Sequence, residues 1–202
     1  MLEQLNQDLF NLINAAPASA SGTIALATVI AKRLILLFPL FTAACWLWGA
    51  KQDMTRQRAF VCKTAYALVI GLFISWLIGL VAPHERPFVM GIGTNFLEHE
   101  PTASFPSNHG TIVFTFVFAF LFWLRTWVGL LMLVPAIAIA WSRIYLGVHW
   151  PLDMIGAFIL GLIACGLAQI LWGLIGHKIQ APLTHLYQII FSVLIRKGWV
   201  QP

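Results

Sequence analysis

Three short stretches hold most of the residues in this sequence that could do chemistry. Ser142-Arg-Ile-Tyr-Leu-Gly-Val-His-Trp-Pro-Leu-Asp153 packs Arg143, His149 and Asp153 between two long apolar runs. Ser104-Phe-Pro-Ser-Asn-His-Gly110 brings Ser107, Asn108 and His109 to the start of another apolar run, and Arg86-Pro87 supplies a second guanidinium. Arginine forks bind phosphate oxygens bidentately, and a helix start presents free N–H groups and the positive end of its dipole. Two guanidiniums, two imidazoles, a hydroxyl, a carboxylate and a helix N-terminus outline an oxyanion site. The alternative is an interfacial loop whose Arg and Asp only anchor helix ends, but ionisable residues beside membrane segments are costly unless paired or functional.

The elements that must position these residues are membrane helices. At 202 residues, 60% hydrophobic and 9% charged, the chain reads as one membrane-embedded, all-α domain over residues 1–202. It is expected to be a polytopic helical bundle of about five transmembrane helices, a sixth being the alternative. The expected spans are 23–50, 59–82, 109–124, 127–142 and 152–176, with interfacial amphipathic helices at 1–17 and 183–195. In the first helix Leu2, Leu5, Leu9, Leu12 and Ile13 share one face. Only Arg125 and Thr126 separate the third and fourth spans, which forces an antiparallel pair, and Pro151 suits the first turn of the fifth.

The net charge of +5 is spread over loops rather than gathered in a patch, which argues against nucleic acid and for a lipid bilayer as partner. Cys45, Cys62 and Cys165 match neither zinc nor redox spacing and read as reduced packing residues. Met1 to Ala20 lacks the Lys or Arg of a cleavable signal peptide. Five spans put Lys51, Arg56, Arg58, Lys63, Arg125, Lys178, Arg196 and Lys197 on one side. Only Lys32, Arg33, Arg86 and Arg143 fall on the other, so the first side is expected to be cytoplasmic and the three chemical stretches to meet on the outer face. Trp46, Trp48, Trp123, Trp127, Trp141 and Trp150 fall near span ends, as aromatic belts do.

Pro106-Ser107-Asn108-His109, and Ser142-Arg143 followed by His149 and Asp153, resemble two signature motifs of the type 2 phosphatidic acid phosphatase superfamily. Arg86-Pro87 looks like the end of its first motif, which begins with a lysine seven residues before the arginine. This chain has Gly79 at that position. It also has Asn108 where the family most often has glycine. Within the superfamily, Pro87-Phe88 and Ala103-Ser-Phe-Pro-Ser look most like the bacitracin-resistance type of undecaprenyl-diphosphatase.

The resemblance implies hydrolysis of the terminal phosphate of a polyprenyl diphosphate, undecaprenyl diphosphate foremost, for carrier-lipid recycling in cell-wall synthesis at a bacterial cytoplasmic membrane. It implies His149 as the nucleophile that becomes phosphohistidine, His109 as the acid and then base, and no cofactor or metal. Asp153 would hold the other His149 ring nitrogen, and Arg86, Arg143, Ser107 and Asn108 would hold phosphate oxygens. Lys32 is the candidate replacement for the missing lysine. It lies just outward of the apolar stretch Leu34 to Ala50, which is about 25 Å long as a helix.

Other readings remain beside this one. The substrate could be phosphatidylglycerol phosphate or phosphatidate, and the reaction a transfer to another lipid head group. A metal could sit on His149 and Asp153 with His84, Glu98, His99 or Glu100, although two arginines would repel it. A transporter or assembly protein would line a path with the same charges, but here they gather at one face. Glu85, Glu98, His99 and Glu100 read as solvated loop surface, with substrate selection or a second pyrophosphate contact as the sharper alternative. Oligomeric state is not legible.

Overall fold

The structure is a computed structural model that describes residues 1–49 and 51–202, with every side chain among them except that of His177. It is all-helical, with no strand among the described residues. In chain order α1 is Leu2–Ile13, α2 Ser21–Arg33, α3 Leu37–Trp48, α4 Met54–Val81, α5 Asn108–Ala119, α6 Thr126–Tyr145, α7 Pro151–Ile190 and α8 Ser192–Arg196. A 3₁₀ turn at Leu34–Leu36 joins α2 to α3, and a π-helical turn at Phe120–Leu124 extends α5.

Four stretches are long and apolar enough to cross a membrane: Ser21–Trp48, Lys51–Val81, Thr126–Tyr145 and Pro151–Gly176. The third expected span, 109–124, falls in a shorter apolar helix, Asn108–Leu124. It sits at the centre of the bundle, where Thr111, Val113, Phe114, Thr115, Phe116, Val117, Phe118 and Ala119 are all buried. Its packing partners are α4 and α7, and small residues let the three backbones close up. A Cβ on Gly110 would meet the Ala157 Cβ at 2.8 Å, and one on Gly71 would meet Ala164 at 3.3 Å. Close approach through small residues is how helices associate where lipid offers no hydrophobic driving force. The α5–α6 connection is the single extended residue Arg125, so the pair is antiparallel as expected.

Three expectations are corrected. The separate helix at 183–195 is instead the end of α7, which runs unbroken through Pro182 to Ile190, followed by a turn and the short α8. Docking holds the extension. Gln180 Nε2 donates to Thr55 O at 2.7 Å, Tyr187 packs edge-on against Trp46, and the Arg58 guanidinium lies 4.8 Å from the Tyr187 ring centre. Helix α1 is more than an interfacial helix: Asn6 and Phe10 are buried against the bundle while Leu2, Leu5 and Leu12 stay exposed on the adjoining face. Trp150 is no belt residue. It is fully buried, its ring tilted against that of Phe10 at 5.0 Å, with its Nε1–H donated to Glu85 O at 2.8 Å. Ala50, the last residue of the expected first span, lies outside the described residues. Cys62 and Cys165 are buried and Cys45 half-buried, all unpaired, as packing residues should be.

Candidate active site

The loop between α4 and α5 and the ends of three helices carry the site. Ser107 caps α5, with its Oγ accepting the Gly110 N–H at 3.3 Å. That leaves the hydroxyl proton free to donate, and the N–H groups of Asn108 and His109 free in the first turn. Arg143 lies in the last turn of α6. Gly147 then turns the chain at φ +82°, with Thr94 O so close that a Cβ would meet it at 2.2 Å. No other residue fits there, and the turn delivers His149 to the site two residues later. Asp153 lies in the first turn of α7 and accepts the Trp150 N–H at 2.8 Å.

These placements put His149 between a carboxylate and a guanidinium. Its Nδ1 is 3.0 Å from Asp153 Oδ2, and its Nε2 is 3.1 Å from Arg86 Nη1. A carboxylate only accepts and a guanidinium only donates, so these partners assign the proton to Nδ1 and the lone pair to Nε2. Ser104 Oγ–H donates a short bond to the same Asp153 oxygen. Burial, against the pull of Asp153, holds the imidazole pKa down at about 4, with Arg86 and Arg143 adding to the shift. The ring is therefore neutral at pH 7, the state a nitrogen nucleophile needs.

The two arginines differ. Arg86 is 4% exposed and saturated, because its five N–H bonds reach Thr102 O, Thr102 Oγ1, Ala103 O, Val148 O and His149 Nε2. Arg143 is 3% exposed, and its buried Nε and Nη2 have no hydrogen-bond partner. A buried donor left unpaired costs about 1–3 kcal/mol, more when charged. An anion bound there would remove that cost. His109, half-buried in the first turn of α5, stands within electrostatic reach of Arg143, His149, His99 and Arg86.

Asn108 Oδ1 accepts the Ser75 hydroxyl at 2.7 Å. Both residues line a cavity of about 390 Å³ between α4 and the 102–108 segment, together with Trp76, Gly79, Leu80 and Thr102. Lys32 is exposed on α2 and makes none of the site's hydrogen bonds. Its neighbour Ala31 packs in the cluster of Leu146 and Val148, beside His149. Phe38, six residues below Lys32, packs against Phe116, seven residues below His109, so Lys32 and His109 sit at about the same depth.

Ser104, Thr102 and His99 belong to the site, although the sequence assigned them no definite role in it. His99 in particular leaves the loop surface, its ring centre 6.0 Å from that of His149. A hydroxyl or imidazole in an irregular loop carries no periodic signal, so only the fold could reveal these positions. His84 lies instead 3.7 Å from Glu3 on α1.

The model of the PAP2 superfamily matches residues 60–174, the stretch that carries all of this geometry except Lys32. The chain belongs to the PAP2 superfamily. It is 54% identical over 201 residues to the Escherichia coli (strain K12) protein YbjG, whose name assigns it provisionally to the undecaprenyl-diphosphatases, and the match covers 100% of both chains. It is 30% identical over 159 residues to undecaprenyl-diphosphatase BcrC of Bacillus subtilis (strain 168), covering 79% of this chain and 80% of that one. Among solved structures, Aquifex aeolicus LpxE superposes with a TM-score of 0.61 at 23% identity, over 82% of this chain and 94% of the other. A PAP2-type phosphatidylglycerolphosphate phosphatase from Bacillus subtilis gives 0.60 at 17% identity, over 88% and 87%. These two likenesses concern the fold. They agree with a multi-pass, all-helical PAP2 architecture.

Proposed function

We propose that this chain is a metal-independent undecaprenyl-diphosphate phosphatase that removes the terminal phosphate of its lipid substrate through a phosphohistidine. The observation that carries the reading is Arg143, a buried guanidinium with unpaired donors beside a histidine whose Nδ1 is held by a carboxylate. The names of the relatives above support the choice of lipid.

His149 Nε2 attacks the terminal phosphorus, and the P–O bond to the lipid monophosphate breaks. Arg86 must give up its bond to Nε2 as the phosphate arrives, and its charge moves onto the phosphoryl oxygens. Arg143, the Ser107 hydroxyl and the first-turn N–H groups of α5 hold the remaining oxygens, which is most of what phosphoryl transfer asks of a protein. Asn108 Nδ2 is free to join them, since Ser75 occupies only its carbonyl oxygen. His109 gives a proton to the leaving phosphate oxygen, then takes one from the water that cleaves the phosphoenzyme. Asp153 stabilises the charge that develops on the His149 ring. The cavity between α4 and the 102–108 segment leads from Asn108 to the exposed Trp76 and Leu80, a route from the bilayer for a head group attached to a lipid chain.

Phosphate release by the purified protein tests the function. Polyprenyl diphosphate is expected to be hydrolysed in EDTA with a higher kcat/KM than phosphatidate or phosphatidylglycerol phosphate. Loss of activity in EDTA, or preference for a monoester, would contradict the reading.

The proposed location is the bacterial cytoplasmic membrane with the site outward. The excess basic residues lie at the other end of the bundle, where Arg56 donates to Leu124 O at 2.8 Å and Lys63 to Gln169 at 3.0 Å. A reporter fused after Arg58 is expected to be active only inside the cell, and one inserted near Gly93 only outside. The opposite pattern would reverse the orientation.

Lys32 is proposed as an accessory contact for the anionic head group, supported by its depth. Lys32→Met is expected to raise KM about three- to tenfold with kcat unchanged, the signature of lost uniform binding. An unchanged KM would remove Lys32 from the site.

A further inference from the structure

His99 is the third imidazole of the site, and the mechanism above leaves it unused. Its loop is pinned rather than loose. Phe96 N–H donates to Leu146 O at 3.0 Å, Leu97 N–H donates to Asn95 Oδ1 at 3.0 Å, and Leu97 is buried in the cluster of Ala27, Ala31, Leu146 and Val148. The loop is thereby clamped to the segment that carries His149, and His99 follows two residues after the clamp. Its ring stands nearly perpendicular to that of His149, at 78° and a centroid distance of 6.0 Å. Its Nδ1 is 3.0 Å from Glu100 O, an acceptor, so Nδ1 carries the proton and Nε2 is free.

The charges around this free nitrogen suggest its use. Arg86 and Arg143 both act on His99 and, together with burial, hold its pKa below the ordinary value, while Glu100 opposes them. An arriving polyanion reverses that balance and favours the imidazolium. A diphosphate carries more negative charge than a monoester and brings a second set of oxygens. Yet Gly79 offers no cation, and Arg86 is saturated until His149 releases it. A phosphorus drawn to about 3–3.5 Å from His149 Nε2 for attack leaves the second phosphate needing a further donor, and the His99 ring, 6.0 Å from that of His149, is the unused imidazole at hand.

We propose that His99 Nε2 binds the lipid-side phosphate of a diphosphate head group, and that this contact makes the site prefer diphosphates to monophosphates. The inference rests on the lipid-diphosphatase reading and gives that reading's specificity a residue.

The test compares wild type with His99→Gln and His99→Ala, using the full-length purified protein with polyprenyl diphosphate as substrate and inorganic pyrophosphate or orthophosphate as competitor. Orthophosphate fills only the subsite at Arg143, whereas pyrophosphate also reaches His99. The inhibition constant for pyrophosphate is expected to rise at least tenfold in both variants, about 1.4 kcal/mol, with a matching rise in KM. The constant for orthophosphate should stay within twofold, which also shows that the variants remain folded. Equal shifts for the two anions, no shift for either, or no competition by pyrophosphate in wild type would overturn the assignment. A wild-type protein that releases no phosphate from polyprenyl diphosphate would instead sink the underlying function.

Discussion

His149→Ala is expected to lower kcat on polyprenyl diphosphate by about 10⁴-fold or more, the scale on which a covalent mechanism fails when its nucleophile is removed. Arg86, Arg143 and the α5 N-terminus remain in that variant, so substrate binding is expected to persist while turnover disappears. Asp153→Asn should be milder, about 10²- to 10⁴-fold. It keeps the imidazole but replaces the carboxylate that Ser104, Trp150 and His149 share with a neutral amide, which no longer stabilises the charge on the ring. Equilibrium binding of labelled substrate alongside single-turnover rates checks both. Near-normal turnover in His149→Ala would refute the assignment.

Arg143→Met is expected to separate activity from stability. Activity should fall by about 10²- to 10³-fold, the usual cost of losing a donor aimed at developing negative charge. Stability of the ligand-free protein should hold or rise. The buried Nε and Nη2 have no partners to lose, and an apolar side chain of similar length avoids the desolvation cost of an unpaired charge. Thermal unfolding with and without orthophosphate checks this: wild type should gain stability from the anion and Arg143→Met should gain little. A large drop in unliganded stability would mean that Arg143 is structural. Arg86, with its five N–H bonds satisfied, is the contrast, and its removal should cost both stability and rate.

The bundle was legible because membrane spans announce themselves by length and apolarity, and because a connection as short as Arg125-Thr126 permits only an antiparallel pair. The pairing of His149 with Asp153 was legible from their spacing, although His149 precedes α7 instead of lying in its first turn, and Asp153 reaches back from that turn to the Trp150 N–H and the His149 ring. The limits came where tertiary contacts override local pattern. Gly176 and Pro182 look like a helix end, but docking of Gln180 and Tyr187 carries α7 through both. In α1 the leucine face suggested an interfacial helix only, while Phe10 and the polar Asn6 lie inside the bundle, Asn6 Oδ1 accepting the Leu152 N–H at 3.0 Å in the first turn of α7. The different roles of Arg86 and Arg143 depend on which carbonyls lie near each guanidinium, and no spacing in the chain encodes that. The same holds for Ser104 and His99, which reach the site from an irregular loop.

The central claim is that the phosphoryl group passes through His149 Nε2. The most direct test is to mix the purified protein with polyprenyl diphosphate labelled in its terminal phosphate, quench in the steady state under alkaline conditions, and map the label by peptide mass spectrometry. The account predicts acid-labile phosphate on His149 in wild type, and none in His149→Ala. Label on any other residue, or full turnover with no label on His149 at any quench time, would contradict it.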